Sequence, residues 1–406
     1  MKKKIFLAYA YSSKNAGDLA ICIGALDLLI ENGYSVTLLS KYDKLDPEFF
    51  SSREYYRRRY KSKITFLEAP FTLDRNASFI QKFINNLKGY IVLKGGKNKR
   101  AKEIGKYISQ SDYVIFNGGN LLRCSNLVDY IRLKALYYPI QLAKKMRKPY
   151  LIFPQSTANI DGAGKRLLQK FISEADYVFL REEESYQKLK HTFGVDNLIQ
   201  SIDLAYFIRK EQERQNSSSK TIAFTLRAHS IGDLNEFSRE EKLKIYEIFK
   251  FFLEKSSYTD YKIVFVVQTR KDIAFTEEVV RKLQIDCPQY NISIFENYDP
   301  LELLNFYKDI TILIGMRLHS IILASSIGVP CYGLFYKEWG LKNPGMMKHL
   351  DMPFTMIDEE LNGQDEIDFE KVEFLMKNSN TISNTIIEKI HKEKNKMLRF
   401  LDEKIK

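Results

Sequence analysis

The stretch Thr311–Phe335, TILIGMRLHSIILASSIGVPCYGLF, decides the fold. It opens on a short β-branched run, Thr311–Gly315, and crosses a polar turn, Arg317–Ser320. A helical pattern over Ile321–Ile327 follows and stops at Gly328. Pro330 then begins a second apolar run that ends at Phe335. Strand, helix and strand in immediate succession signal a parallel sheet covered by helices.

The same alternation extends along most of the 406 residues. Upstream of the linker, strands are expected near Ile5–Tyr9, Val36–Leu39, Ile64–Leu67, Tyr113–Phe116, Tyr150–Phe153, Tyr177–Leu180 and Leu198–Ile202. Downstream they are expected at Thr221–Leu226, Ile263–Val267, Ile292–Phe295, Thr311–Gly315 and Pro330–Phe335. Between the arrays, 209–220 is charged and ends in a serine run, as a linker would be. The pattern predicts two doubly wound, Rossmann-like α/β domains, 1–208 and 221–375, followed by a helical extension over 376–406. Lys2–Lys4 with Ile5–Ala10 imitates a signal peptide, but the apolar run is short and a Gly-Asp turn follows, so it reads as the first strand. No run is long enough to span a bilayer.

The final segment, Ile382–Lys406, reads as a basic amphipathic helix with Ile382, Ile386, Ile390, Met397, Leu401 and Ile405 on one stripe. Packing against the protein is its plain role, and resting on anionic lipid its sharper one. The net charge of +12 suits an anionic partner without naming it. No nucleic-acid fingerprint accompanies it, so nucleic acid is not an expected partner. The four cysteines lie in or beside apolar stretches without metal spacing, as reduced buried thiols do. No metal site and no Gly-x-Gly-x-x-Gly dinucleotide loop is found.

In open α/β sheets ligands bind beyond the carboxyl ends of the strands, where the first and fourth strands lie side by side. In the first domain those ends carry Asn15, Gly17 and Asp18, and Asn117, Gly118 and Gly119. Asp18 is placed to cap a helix beginning at Leu19. Gln155, Ser156 and Arg181 follow later strands. In the second domain the two ends carry Arg227-Ala228-His229-Ser230 and Arg317-Leu318-His319-Ser320, the same Arg-x-His-Ser tetrapeptide twice. His319 and Ser320 precede a helix, where backbone N–H groups favour an anion. Of five histidines, His191 reads as part of a helix end, while His349 and His391 suggest nothing particular. His229 and His319, each beside an arginine, are the candidate acid or base. Tyr336 and Lys337 end the last strand.

Taken in order, NAGDLAI at Asn15–Ile21, DYVIFNGGN at Asp112–Asn120, Gln155-Ser156, FLREEES at Phe179–Ser185, Asp203-Leu204-Ala205 and IGMRLHSIILASSIGVP at Ile314–Pro330 with Tyr336-Lys337 resemble polysaccharide pyruvyl transferases. The resemblance covers about the first 340 residues. Asn120 stands where a third glycine is common, and a usual proline before Asp203 is missing.

The resemblance implies a GT-B-like pair of domains and phosphoenolpyruvate as co-substrate, with no separate cofactor. The acceptor would be a sugar of a bacterial surface polysaccharide or a lipid-linked oligosaccharide. It implies that Arg227 and Arg317, with His229, Ser320 and Lys337, hold the donor and that His319 is catalytic. The first-domain loops would take the acceptor. A cytoplasmic position follows, peripheral at the inner face of the plasma membrane if the acceptor is lipid-linked. The rival is a GT-B glycosyltransferase using a nucleotide sugar, with Glu338 and Trp339 on the nucleotide. A non-catalytic sugar-binding protein is the third reading.

Overall fold

A computed structural model describes residues 3–71, 79–95, 98–124, 127–160, 162–209, 219–230, 236–340, 342–358 and 367–405. Contacts divide the chain into two compact units. The first comprises Met1–Ser13, Asp18–Arg209 and Asn395–Lys406; the second comprises Lys14–Gly17 and Lys210–Lys394. The expected linker, apart from Arg209, Ser219 and Lys220, lies outside the described residues.

In the first unit the strands are β1 (Lys4–Ala10), β2 (Ser35–Ser40), β3 (Ile64–Leu67), β4 (Tyr113–Phe116), β5 (Gly119–Cys124), β6 (Tyr150–Ile160), β7 (Tyr177–Leu180) and β8 (Leu198–Gln200). They form one sheet in the order β3-β2-β1-β4-β6-β7-β8, with β5 paired to β6. Every pairing is parallel, and β1 and β4 are neighbours with Ala8 opposite Phe116. β1 and β4 are buried almost throughout, as strands covered on both faces must be.

The second unit contains β9 (Thr221–Thr225), β10 (Lys262–Val267), β11 (Asn291–Glu296), β12 (Ile312–Gly315), β13 (Cys331–Phe335) and β14 (Phe354–Met356). Their order is β11-β10-β9-β12-β13-β14, again all parallel. The first and fourth strands of each sheet are therefore adjacent, and both sheets reverse their winding there.

Two expectations are corrected. β6 does not stop at Phe153: it continues past Pro154 to Ile160, so Gln155 and Ser156 lie inside a strand rather than in a loop. The pairing with β7 shifts register between Ile152 and Gln155, the kind of irregularity that tolerates a proline. The helix after β1 begins at Ala16, not Leu19, and Asn15 Oδ1 accepts the Gly17 N–H at 3.0 Å in place of an Asp18 cap. The final segment is helical, as expected. It forms helices Phe369–Lys377 and Ser379–Lys404, and Asn395–Lys406 groups with the first unit. Ile386, Ile390, Met397, Leu401 and Ile405 are buried, so this stripe packs on protein. Phe400 stands edge-on to Tyr177 and Phe179, with centroids 4.5 and 5.0 Å away.

Candidate active site

In the second unit, Thr225 and Gly315 are register partners at the carboxyl ends of β9 and β12. The approach is so close that a Cβ on Gly315 would stand 2.5 Å from Thr225 Oγ1. Both tetrapeptides leave the sheet from this point. Arg317 N–H donates to Thr225 Oγ1 at 3.3 Å, and the helix Leu318–Ser326 starts immediately, with Arg317 as its N-cap. The helix begins about one turn earlier than its sequence pattern implies, and His319 lies in its first turn.

Asp272, at the end of a short turn after β10, organises the group. It is buried, and its two carboxylate oxygens accept from Arg317 Nε and Nη2, each at 2.6 Å. It also accepts the Ala228 N–H at 3.1 Å, so one carboxylate fixes both Arg-x-His-Ser segments. The pairing uses the side edge of the guanidinium. The Arg317 side chain is 12% exposed, so the cation is held by Asp272 close to the surface.

Arg227 is held differently. Its Nη2 donates to the Ser230 carbonyl at 2.6 Å, closing the first tetrapeptide on itself. Its guanidinium lies 4.3 Å from the centre of the Trp339 ring. Trp339 is packed in turn against Phe237 and Tyr336. His229 is half-buried and forms an isolated antiparallel bridge with Glu236. Ser320 is fully buried, and its hydroxyl donates to Gln268 Oε1 at 2.7 Å while its N–H turns to the Arg317 carbonyl at 3.1 Å. Its polar groups are thus committed within the protein. Lys337 is exposed, and its N–H donates to Asp358 at 2.7 Å.

The first-unit candidates form a connected internal network. The Asn117 side chain donates to the Tyr9 carbonyl at 2.8 Å and accepts the Gly118 N–H at 2.8 Å. Tyr11 donates to the Gly118 carbonyl at 2.6 Å. Gln155 accepts the Leu121 N–H at 2.9 Å and donates to the Asn117 carbonyl. Arg181 donates through Nε to Ser156 Oγ at 2.6 Å and through Nη1 to Asp203. Ser156 donates to Glu182 at 2.9 Å, and Asp203 caps Ala205 N–H at 2.9 Å. Arg181 is only 1% exposed. Gly118 is needed for packing: a Cβ there would lie 2.8 Å from the Pro154 carbonyl oxygen. Asn15 and Asp18 remain half-buried, and Lys14–Gly17 groups with the second unit.

Sequence reasoning missed Asp272. Its segment, Arg270–Asp272, reads as an ordinary polar helix start; only the β10-β9-β12 order brings it to Arg317. Among the described residues, no three His, Cys, Asp or Glu side chains are grouped to hold a metal ion, and no helix is long and apolar enough to cross a membrane.

Two doubly wound sheets with a polar cluster at the switch point define a GT-B-like protein, and solved structures share this fold. A glycosyltransferase from Rickettsia africae ESF-5 aligns over 99% of this chain and 98% of its own, with TM-score 0.56 and 14% identity. A ugt transferase from Siraitia grosvenorii, in complex with UDP, aligns over all of both chains with TM-score 0.56 and 13% identity. The UDP-GlcNAc 2-epimerase from Neisseria meningitidis bound to UDP-GlcNAc covers 96% of this chain and 100% of its own, with TM-score 0.53 and 14% identity. No curated protein matches the sequence. The polysaccharide pyruvyl transferase family model matches residues 15–338, and the chain belongs to that family of transferases.

Proposed function

We propose that the chain transfers the pyruvyl group of phosphoenolpyruvate to two hydroxyls of a sugar in a bacterial surface polysaccharide or its lipid-linked precursor. The observation that carries this reading is the pairing of Asp272 with Arg317 Nε and Nη2, which fixes an arginine beside His319 at the carboxyl ends of β9 and β12. Arg227 supplies the second cation of the donor site. The enol methylene takes a proton, and C2 becomes cationic and accepts the first sugar hydroxyl. The second hydroxyl displaces phosphate as the C2–O bond to phosphorus breaks. Of the two hydroxyl protons released, one balances the new methyl group and the other leaves with phosphate. His319 moves these protons, Lys337 offsets charge on the departing phosphate, and no cofactor is required.

A nucleotide-sugar donor would use Trp339 as a platform for the base. That ring already carries Arg227 and packs against Phe237 and Tyr336, which favours the compact donor instead. The test is to supply purified protein with phosphoenolpyruvate and candidate glycans, and to follow inorganic phosphate together with the mass of the ketal product. Wild-type phosphate release by His319→Ala would remove His319 from the mechanism. Transfer from a nucleotide sugar without phosphoenolpyruvate would replace the reading altogether.

A further inference from the structure

The helix Phe79–Gly95 of the first unit turns its apolar stripe outward. Ile80, Ile84, Leu87 and Ile91 recur at helical spacing and are 70, 42, 38 and 59% exposed, with Val92 beside them at 38%. The opposite face holds a buried asparagine, Asn86, and Gly89, where a Cβ would stand 2.7 Å from the Phe71 ring. At 3.6 residues per turn, the exposed Lys88 and Lys94 fall on either side of the stripe. Residues 75–102 contain eight basic residues and no acidic one. Arg100 of this group is paired with Glu68 at 2.6 Å. An exposed aliphatic stripe flanked by lysines, on a helix of 17 residues, has the form of an element lying in a lipid interface.

We infer that Phe79–Gly95 docks the protein on an anionic membrane surface. Its isoleucines and leucine enter the acyl boundary, and the exposed Lys88 and Lys94 face anionic headgroups. Charge complementarity selects this occupant. A second copy of the chain would bring the same lysines against each other.

The test is co-sedimentation of the full chain with vesicles of equal phosphatidylglycerol and phosphatidylcholine, and with phosphatidylcholine alone. Binding is expected only to the anionic vesicles and is expected to weaken as salt is raised. Ile84→Glu with Ile91→Glu, and separately Lys88→Glu with Lys94→Glu, should each lower binding by about tenfold or more. Because these side chains are exposed, both variants should melt at the wild-type temperature. The inference is overturned if the wild type stays in the supernatant, or if it and either variant sediment equally. It is also overturned if light scattering shows a dimer that the isoleucine variant dissociates while vesicles bind neither protein. This readout needs neither phosphoenolpyruvate nor an acceptor, so it stands or falls apart from the proposed reaction.

Discussion

The two sheets share one architecture, yet the polar residues predicted to line their clefts are paired differently. In the first unit Asn117, Gln155, Ser156 and Arg181 satisfy one another and the backbone, and Arg181 is sealed between Ser156 and Asp203. In the second unit Arg317 is fixed along one edge by Asp272 and keeps 12% of its side chain exposed. An arginine just after a strand is a buried tie in one sheet, after β7, and a partly exposed cation in the other, after β12. What differs is the burial: Arg181 is 1% exposed and the Arg317 side chain 12%.

This contrast is open to attack at several points. The largest effect is expected for His319→Ala, which should lower kcat by about 10²- to 10⁴-fold with an unchanged melting temperature. A parallel loss of stability would make His319 structural and blur the contrast. Arg181→Met should do the reverse, costing about 3–5 kcal/mol in denaturant unfolding because Asp203 and Glu182 stay buried without their cation. A stable Arg181→Met protein lacking activity would put Arg181 in the site. Asp272→Asn keeps the shape but weakens the hold on Arg317. About a hundredfold loss in kcat/KM is expected, mostly as a raised KM for the donor. An unchanged KM would show that the Arg317 fork needs no fixing.

The smallest effect concerns Cys22, whose thiol is pushed up to about 12 by burial. Because the folded value lies far above pH 8, the thiolate is scarce there. Cys22 should stay unlabelled by iodoacetamide at that pH until the protein unfolds. Rapid labelling of the native protein would show that the first unit opens readily.

Much of this was legible in the sequence, for identifiable reasons. Buried parallel strands are apolar throughout, so Tyr113–Phe116 and Tyr177–Leu180 match β4 and β7 to the residue. β5 was missed because Gly119 and Asn120 read as turn residues, and β14 because three residues carry no period. The roles of the polar groups were less legible. Sequence places Arg181 and Arg317 alike at strand ends, but their partners, Asp203 and Asp272, arrive from other strands through the fold.

The two stripe-bearing helices make the same point. Ser379–Lys404 and Phe79–Gly95 both carry aliphatic residues at helical spacing with lysines around them. For the terminal helix the plainer expectation, packing on protein, matches its buried stripe. Periodicity reports that a stripe exists, while tertiary packing decides what covers it.

The most direct measurement is thermal-shift titration of the wild type and Arg317→Ala with phosphoenolpyruvate and with UDP. A ligand that binds the folded state raises its melting temperature with concentration. Phosphoenolpyruvate should raise that of the wild type and leave Arg317→Ala unmoved, with UDP inert toward both. A UDP-dependent rise with no response to phosphoenolpyruvate would contradict the proposed donor and the role given to Arg317.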